Sequence, residues 1–125
     1  MIIEIRKDEI PDWDYGDIAI KTYSFGDQNK IGAMAGQIRG TVDNPDIQIS
    51  DTIQFDALSN YSLMAGIHYI KTKDNILFVI KPGTMTDEKL KYAFEISKIS
   101  GNYLTKRVAE INKNINEDEK KNLLG

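Results

Sequence analysis

The chain has 125 residues, an apolar fraction of 41% and a formal net charge of -3. This length suits one compact domain with a real core and leaves little room for a second. The acidic balance gives no broad electrostatic reason to bind phosphate backbones or anionic lipid, so nucleic acids and membranes are disfavoured as partners. Because cysteine is absent, disulfides, thiolate nucleophiles and thiolate metal sites are excluded together.

The N-terminal residues predict two paired strands. Ile2, Ile3 and Ile5 form a short apolar segment with an early acidic residue and no basic leader, which does not resemble a signal peptide. A loop rich in turn formers follows from Lys7 to Gly16. The next residues alternate in hydropathy and suit a half-buried strand that pairs with the first: Ile18, Ala19, Ile20, Lys21, Thr22 and Tyr23.

A helix start is indicated after the second strand. Ser24 and Asp27 have the spacing of a capping box, with Asp27 in the place of the usual glutamate. A helix is therefore predicted from about Phe25 to Arg39. Its apolar residues recur at helical intervals: Ile31, Met34, Ala35 and Ile38.

Three glycines on this predicted helix, Gly32, Gly36 and Gly40, are four residues apart and therefore share one side, here called the glycine face. Each costs a helix interior roughly 0.5–1 kcal/mol relative to alanine, so some gain must offset them, such as the close approach of another backbone. Two interpretations stay open. Either the glycine face packs against the central helix of this chain, or it takes a partner helix with Met34 as an adaptable neighbour.

The stretch from Ser50 to Ile80 is the longest apolar segment. Its apolar residues cover every side of a helix, which predicts a central helix that begins at the surface and runs into the interior. The run Lys73-Asp74-Asn75 is predicted to end this helix before a strand from Ile76 to Ile80. A turn-rich connection precedes the helix, with a short strand predicted at Ile47 and Ile49.

Two helices are predicted at the C-terminal end. Thr84 or Thr86 caps the first, and Gly101 ends it. Apolar residues that include Phe94 cover more than one of its sides, so it is expected to be covered. Asn102 caps the second helix, which carries one apolar stripe: Leu104, Val108, Ile111 and Ile115.

Together these elements predict an α+β fold, a small and mostly helical single domain with a few short antiparallel strands and a C-terminal helical hairpin. Residues 1–115 are predicted to form this compact domain. The chain is polar from Asn116 to Asn122, so residues 116–125 are predicted to form a mobile C-terminal tail.

The sequence offers little for catalysis. His68 is the single histidine, so a two-histidine metal site cannot exist, and a histidine at the edge of the core is the favoured interpretation. Glycine-rich phosphate cradles are missing. An acidic loop superficially resembles a calcium loop but lacks its glycine and its bidentate glutamate: Asp8, Glu9, Asp12, Asp14 and Asp17. No catalytic residue, metal site or cofactor is therefore predicted.

Trp13 and Tyr15 lie within this acidic loop. Large rings beside carboxylates on a loop are what a protein interaction site often presents. The alternative is that both rings simply cap the sheet. Trp13 and Tyr15 are therefore candidate partner-binding residues, together with Met34 and the glycine face.

Three segments resemble the small tail assembly chaperones of tailed bacteriophages and archaeal viruses. Residues Ile18 to Asn29, with the Thr/Ser-Phe-Gly-acidic pattern at Ser24 to Asp27, are similar to the strand-to-helix start of that family. Residues Ala57 to Ile70 are similar to the buried helix that follows. Tyr103 to Asn112, with the later run Lys120-Lys121-Asn122, resembles the closing helix and polar tail.

The resemblance implies a non-enzymatic protein that binds the tape measure protein, tail-tube subunits or both, in the host cytoplasm and as oligomers. Such proteins cover apolar helical stretches that would otherwise aggregate. The family is mostly helical, so the resemblance implies fewer strands than the alternating segments predict. The alternative is a structural subunit of a virion neck or tail, such as an adaptor, a terminator or a tube component, which would stay in the particle.

Overall fold

The structure is a computed structural model that describes residues 1–42, 51–83 and 85–124, with side chains for 1–37, 55–83 and 85–113. Within these ranges the chain forms one four-stranded sheet, four α-helices and two 3-10 turns. The strands are β1 (Ile2–Ile5), β2 (Ile18–Lys21), β3 (Ile67–Lys71) and β4 (Phe78–Ile80). The helices are α1 (Phe25–Val42), α2 (Asp51–Ala65), α3 (Asp87–Lys91) and α4 (Lys98–Leu124), and the 3-10 turns are Lys7–Glu9 and Tyr92–Phe94. This confirms the predicted α+β class.

The sheet is antiparallel throughout, with the strands in the order β1-β2-β3-β4. β1 pairs with β2 as predicted, so that Ile5 lies opposite Ile18, and Ile18 in turn lies opposite Ile70 on β3. All three isoleucines are buried. The predicted pair of N-terminal strands is therefore present, as part of a larger sheet.

The core is closed by helices that bring apolar side chains to the sheet. The last turn of α2 buries Leu63 and Met64, in agreement with a helix that runs inward from the surface. The predicted apolar stripe of α4 joins the same cluster through Leu104, Val108 and Ile111. Burial of these side chains supplies the main stabilising free energy of the domain.

The predicted end of the central helix at Lys73 is wrong, because α2 stops at Ala65 and β3 follows at once. Gly66 makes the break. Its amide donates to the Leu63 carbonyl oxygen at 3.0 Å, and its own carbonyl oxygen accepts from the Lys21 amide at 2.8 Å. A β-carbon at Gly66 would lie 2.8 Å from Val108 Cγ2, so only glycine lets α4 approach this closely. β4 likewise begins at Phe78 rather than at the predicted Ile76.

The predicted boundary at Gly101 and Asn102 is also wrong, since both residues lie inside α4. The helix begins earlier because Ser97 caps it: the Ser100 amide donates to Ser97 Oγ at 3.2 Å, and the Gly101 amide donates to the Ser97 carbonyl oxygen at 2.8 Å. The predicted cap at Thr86 is confirmed, because its Oγ1 accepts from the amide of Lys89 at 3.1 Å.

Two further predictions concern the chain beyond this core. Helical backbone continues in α4 through Leu124, and so includes residues 116–124 of the predicted tail. The predicted strand at Ile47 and Ile49 and the alternative cap at Thr84 lie outside the described residues.

Candidate functional site

The N-terminus of α1 holds a buried carboxylate. Ser24 Oγ accepts the amide of Asp27 at 3.1 Å, which confirms half of the predicted capping box. The Asp27 carboxylate serves a different purpose from the second half of such a box: it accepts the Tyr61 hydroxyl at 2.6 Å. Asp27 is only 8% exposed, so this hydrogen bond fastens α1 to α2 in a largely dry setting.

The environment of Tyr61 keeps its hydroxyl protonated. Burial, followed by the hydrogen bond to Asp27, raises the pKa of Tyr61 to about 12. The Lys30 ammonium lies 5.5 Å from the centre of the Tyr61 ring, within the range of a cation–π contact. Asp27, Tyr61 and Lys30 therefore form one connected set of contacts between α1 and α2.

These residues line a cleft of about 650 Å³ between α1, α2 and the segment from Met85 to Phe94, here called the helical cleft. Its apolar part is formed by side chains from all three sides: Met34, Ala57, Met85, Leu90 and Phe94. Phe94 is 78% exposed, whereas a covered position was predicted for it. An exposed aromatic ring beside two methionines makes an apolar surface that adapts to what it contacts.

The lining of the helical cleft also includes polar groups. Its lining includes Asp87 and Asn60, and His68 is not among the residues that line it. Within the described ranges, no three His, Asp or Glu side chains come together as a group that could hold a metal ion.

Two glycines of the glycine face, Gly32 and Gly36, have no described neighbour packed against them. Among the residues that the structure describes, a β-carbon at Gly32 or at Gly36 would meet nothing within 4 Å, so these residues do not support the internal-packing interpretation at the two positions. Gly40 lies in the same helix, α1. Met34 lies two residues from both Gly32 and Gly36, or roughly 160° around the helix axis, and it lines the helical cleft. The structure therefore separates Met34 from the glycine face.

Trp13 and Tyr15 are half-buried and pack against the core. Their ring centroids are 5.1 Å apart in an edge-on arrangement, and Tyr15 contacts Tyr92 in the same way at 6.3 Å. The Trp13 indole N–H donates to the Gly16 carbonyl oxygen at 2.8 Å. These contacts favour the capping interpretation, and neither ring lines the helical cleft.

Of the residues that line the helical cleft, the sequence predicts only Met34 as a partner-binding residue. The sequence pattern indicates Asp27 only as a capping residue, and it predicts no binding role for Tyr61, Met85 or Leu90. The one available signal was the aspartate in the capping box, because its short side chain is a poorer fit than glutamate for the return hydrogen bond. Its use by Tyr61 depends on how α2 packs against α1, which no local pattern contains.

Comparisons with protein-family models, with curated proteins and with solved structures found no match for this chain. Within its described part, no helix combines the length and the hydrophobicity needed to cross a bilayer.

Proposed function

We propose that this chain is a non-enzymatic binding protein whose helical cleft takes the apolar face of an α-helix from a partner protein. The observation that carries the proposal is the apolar lining of the cleft, to which the exposed Phe94 and the methionines Met34 and Met85 all contribute. Grooves of this kind receive amphipathic helices through side chains spaced three, four and seven residues apart. Flexible methionines suit a protein that must accept more than one sequence.

The size and charge of the helical cleft support a helix as the occupant. Its volume lies in the range of sites that enclose a drug-sized group, enough for two or three bulky side chains from one helix face. Lys30 from α1 and Asp87 from α3 each place a charge on the lining. The Asp27 carboxylate of α1 already accepts the Tyr61 hydroxyl, so a partner helix with an acidic residue toward Lys30 and a basic residue toward Asp87 would be complementary to the two remaining charges.

The family resemblance supports a specific partner. The segment Ile18 to Asn29 contributes Ser24 and Asp27 to the helical cleft, and the segment Ala57 to Ile70 contributes Tyr61. Two of the three segments that resemble tail assembly chaperones thus build this site. We therefore propose the tape measure protein or a tail-tube subunit as the partner, bound in the host cytoplasm before assembly.

A structural subunit of a virion neck or tail is the second candidate, and the edges of the sheet favour it. β1 and β4 are edge strands, and apolar side chains beside them are exposed: Met1, Ile2, Ile76, Leu77 and Phe78. An edge strand can pair with a strand of another chain, which would hold copies together in a particle. Such a protein would act in the virion rather than in the cytoplasm.

The test is capture of the partner by the tagged full chain in producing cells, with Phe94→Ala and Phe25→Ala compared. Phe25 is 85% exposed and does not line the helical cleft, so it is a matched control. Loss of a central aromatic anchor often costs about 2 kcal/mol or more, or roughly 30-fold in affinity. Phe94→Ala should therefore lose a tape measure or tube protein identified by mass spectrometry, while Phe25→Ala retains it.

Equal capture by both variants would contradict the helical cleft as the site. The protein inventory of purified particles separates the two candidate functions, because a chaperone is absent from them and a structural subunit is present.

A further inference from the structure

A second cavity, here called the basic cavity, lies beside β4 and α3. It has a volume of about 520 Å³ and combines cationic, acidic and apolar walls that include Phe78, Lys81, Pro82, Glu88, Lys89 and Tyr92. It is distinct from the helical cleft, although Thr86 lines both. Nothing in the proposed function makes use of it.

Lys89 is the unusual member of this wall, because it is only 4% exposed. Its ammonium donates a hydrogen bond to the Ile67 carbonyl oxygen in β3. An ammonium has three N–H donors, and this is the one hydrogen bond that it makes with the described residues. A lysine is seldom buried to this degree unless an anion pairs with it.

The charges around Lys89 are of both signs, two lysines and two carboxylates. Lys81 lines the cavity, and the Lys21 ammonium donates to the carbonyl oxygen of Gly83, another lining residue, at 3.3 Å. Glu88 is the acidic residue of the lining, and Asp27 acts on Lys89 from α1. Among the side chains described, Arg107 and Glu110 form the one ion pair within 4.0 Å, so none of the three lysines has a carboxylate at that distance.

Burial lowers the pKa of two bases at this site, Lys89 and His68. It lowers the pKa of Lys89 to about 8, with Lys21 acting in the same direction and Asp27 in the opposite one. His68 Nδ1 is buried and has no hydrogen-bond partner among the described residues, and burial, Lys21 and Lys89 lower the pKa of this imidazole. An anion placed beside Lys89 would offset the desolvation of its charge.

We propose that the basic cavity binds a carboxylate carried on an apolar or aromatic body. Lys89 donates a direct charge-assisted hydrogen bond to the carboxylate, and the positive charges of Lys21 and Lys81 attract the same carboxylate from a greater distance. A single negative charge matches one buried ammonium, and Glu88 disfavours a dianion such as phosphate. The apolar body packs against Phe78, Pro82 and Tyr92.

The test uses the full chain with lysine ε-carbons labelled for NMR, titrated with benzoate, benzamide and inorganic phosphate. Benzoate should shift the Lys89 resonance with a dissociation constant on the order of 1 mM. It should also raise the pH midpoint of that resonance, because the bound carboxylate favours the protonated amine. Benzamide, which lacks the charge, and phosphate, which lacks the apolar body, should bind at least 10-fold more weakly.

Three variants localise the effect. Lys89→Met should abolish benzoate binding, observed through the remaining lysines. Lys81→Met should weaken it several-fold, and because Lys81 is exposed this variant keeps the test valid where Lys89→Met fails to fold. Lys91→Met is the control, since Lys91 is exposed on α3 and does not line the basic cavity.

The ligand carboxylate has two sources, a free small acid or the end of a bound protein. A short peptide that ends in phenylalanine, with a free or an amidated C-terminus, distinguishes them: tighter binding of the free-acid peptide than of benzoate identifies a protein end. The proposal is overturned if neither benzoate nor the free-acid peptide moves the Lys89 resonance, or if benzamide binds as well as benzoate. These outcomes do not depend on the helical cleft, so the two proposals can fail separately.

Discussion

Replacement of Gly66 by alanine tests whether close packing against Val108 of α4 excludes a side chain at position 66. Gly66 does not have a positive φ, so alanine meets no backbone penalty there. The added β-carbon would lie 2.8 Å from Val108 Cγ2 and closer still to Cγ1. Overpacking of a filled core costs typically about 1–3 kcal/mol. Gly66→Ala is therefore expected to lower the free energy of unfolding by that amount.

The second perturbation is Val108→Ala, which removes the two methyl groups that the new β-carbon would strike. Val108 is buried, so this change alone should cost about 1–3 kcal/mol through lost apolar burial and the cavity left behind. In the double variant the alanine methyl at position 66 occupies the vacated space. The double variant should therefore be more stable than the sum of the two costs indicates, by about 1–2 kcal/mol.

Urea unfolding of the full chain, followed by circular dichroism, gives the four free energies of this cycle. Gly36→Ala is the matched control, since its β-carbon meets nothing within 4 Å, and it should stabilise the chain by roughly 0.5–1 kcal/mol. The reasoning is refuted if Gly66→Ala is as stable as the parent chain, or if the two costs simply add.

The pH dependence of stability and the Asp27 contact give two further predictions. Lys89 has a folded-state pKa of about 8 against an ordinary value of 10.5, so the unfolded chain binds more protons between these values and stability should rise by about 2 kcal/mol from pH 8 to 10. This rise, measured as the urea midpoint, should vanish in Lys89→Met and persist in Lys91→Met. Above pH 10 the trend should reverse, because the pKa of Tyr61 is raised from 10.0 to about 12 in the folded chain. Between these values the hydroxyl stays protonated in the folded chain but loses its proton in the unfolded chain, so stability falls as the pH rises. Asp27→Ala should cost about 1–3 kcal/mol by leaving the Tyr61 hydroxyl without its acceptor, and Asp27→Asn should cost less; equal losses in urea unfolding would show that the acceptor oxygen is not what matters.

Short sequence patterns predicted those parts of the fold that depend on the spacing of residues within one element or between neighbouring elements. The pairing of β1 with β2 followed from alternation, and the stripe of Leu104, Val108 and Ile111 on α4 followed from helical spacing. The break at Gly66 did not, because the residue that forbids a side chain there is Val108, far along the chain. Distant contacts of this kind override intrinsic propensity and are absent from any short window of sequence.

The predicted start of α4 was wrong for a similar reason. Gly101 and Asn102 are strong signals for a helix boundary, yet the helix runs through both. Ser100 is fully buried and its hydroxyl contacts the carbonyl oxygens of Pro11 and Asp12 at 2.7 Å, which fixes this turn against the N-terminal loop. Ser97 caps the helix, and the contacts of Ser100 with the N-terminal loop fix its first turn. Gly101 therefore lies inside the helix rather than at its boundary.

The candidate sites were the least predictable part, because each joins residues from different elements. The glycine face was inferred from spacing alone, and at Gly32 and Gly36 the structure shows open space where a packed neighbour was one of the two interpretations. The helical cleft depends on Tyr61 reaching Asp27 across two helices. Spacing within one helix identifies a shared side of that helix but not what lies opposite it.

The two proposed sites share one short structural element. α3 has five residues, too few to be stable as an isolated helix, and it is held by the Thr86 cap and by the hydrogen bond from Lys89 to the Ile67 carbonyl oxygen. Thr86 lines both the helical cleft and the basic cavity, so the same few hydrogen bonds set the shape of both. A buried ammonium loses hydration free energy, whereas an apolar side chain could hold the helix without that desolvation cost. Its presence at this junction is better explained by a ligand that uses the charge than by stability alone.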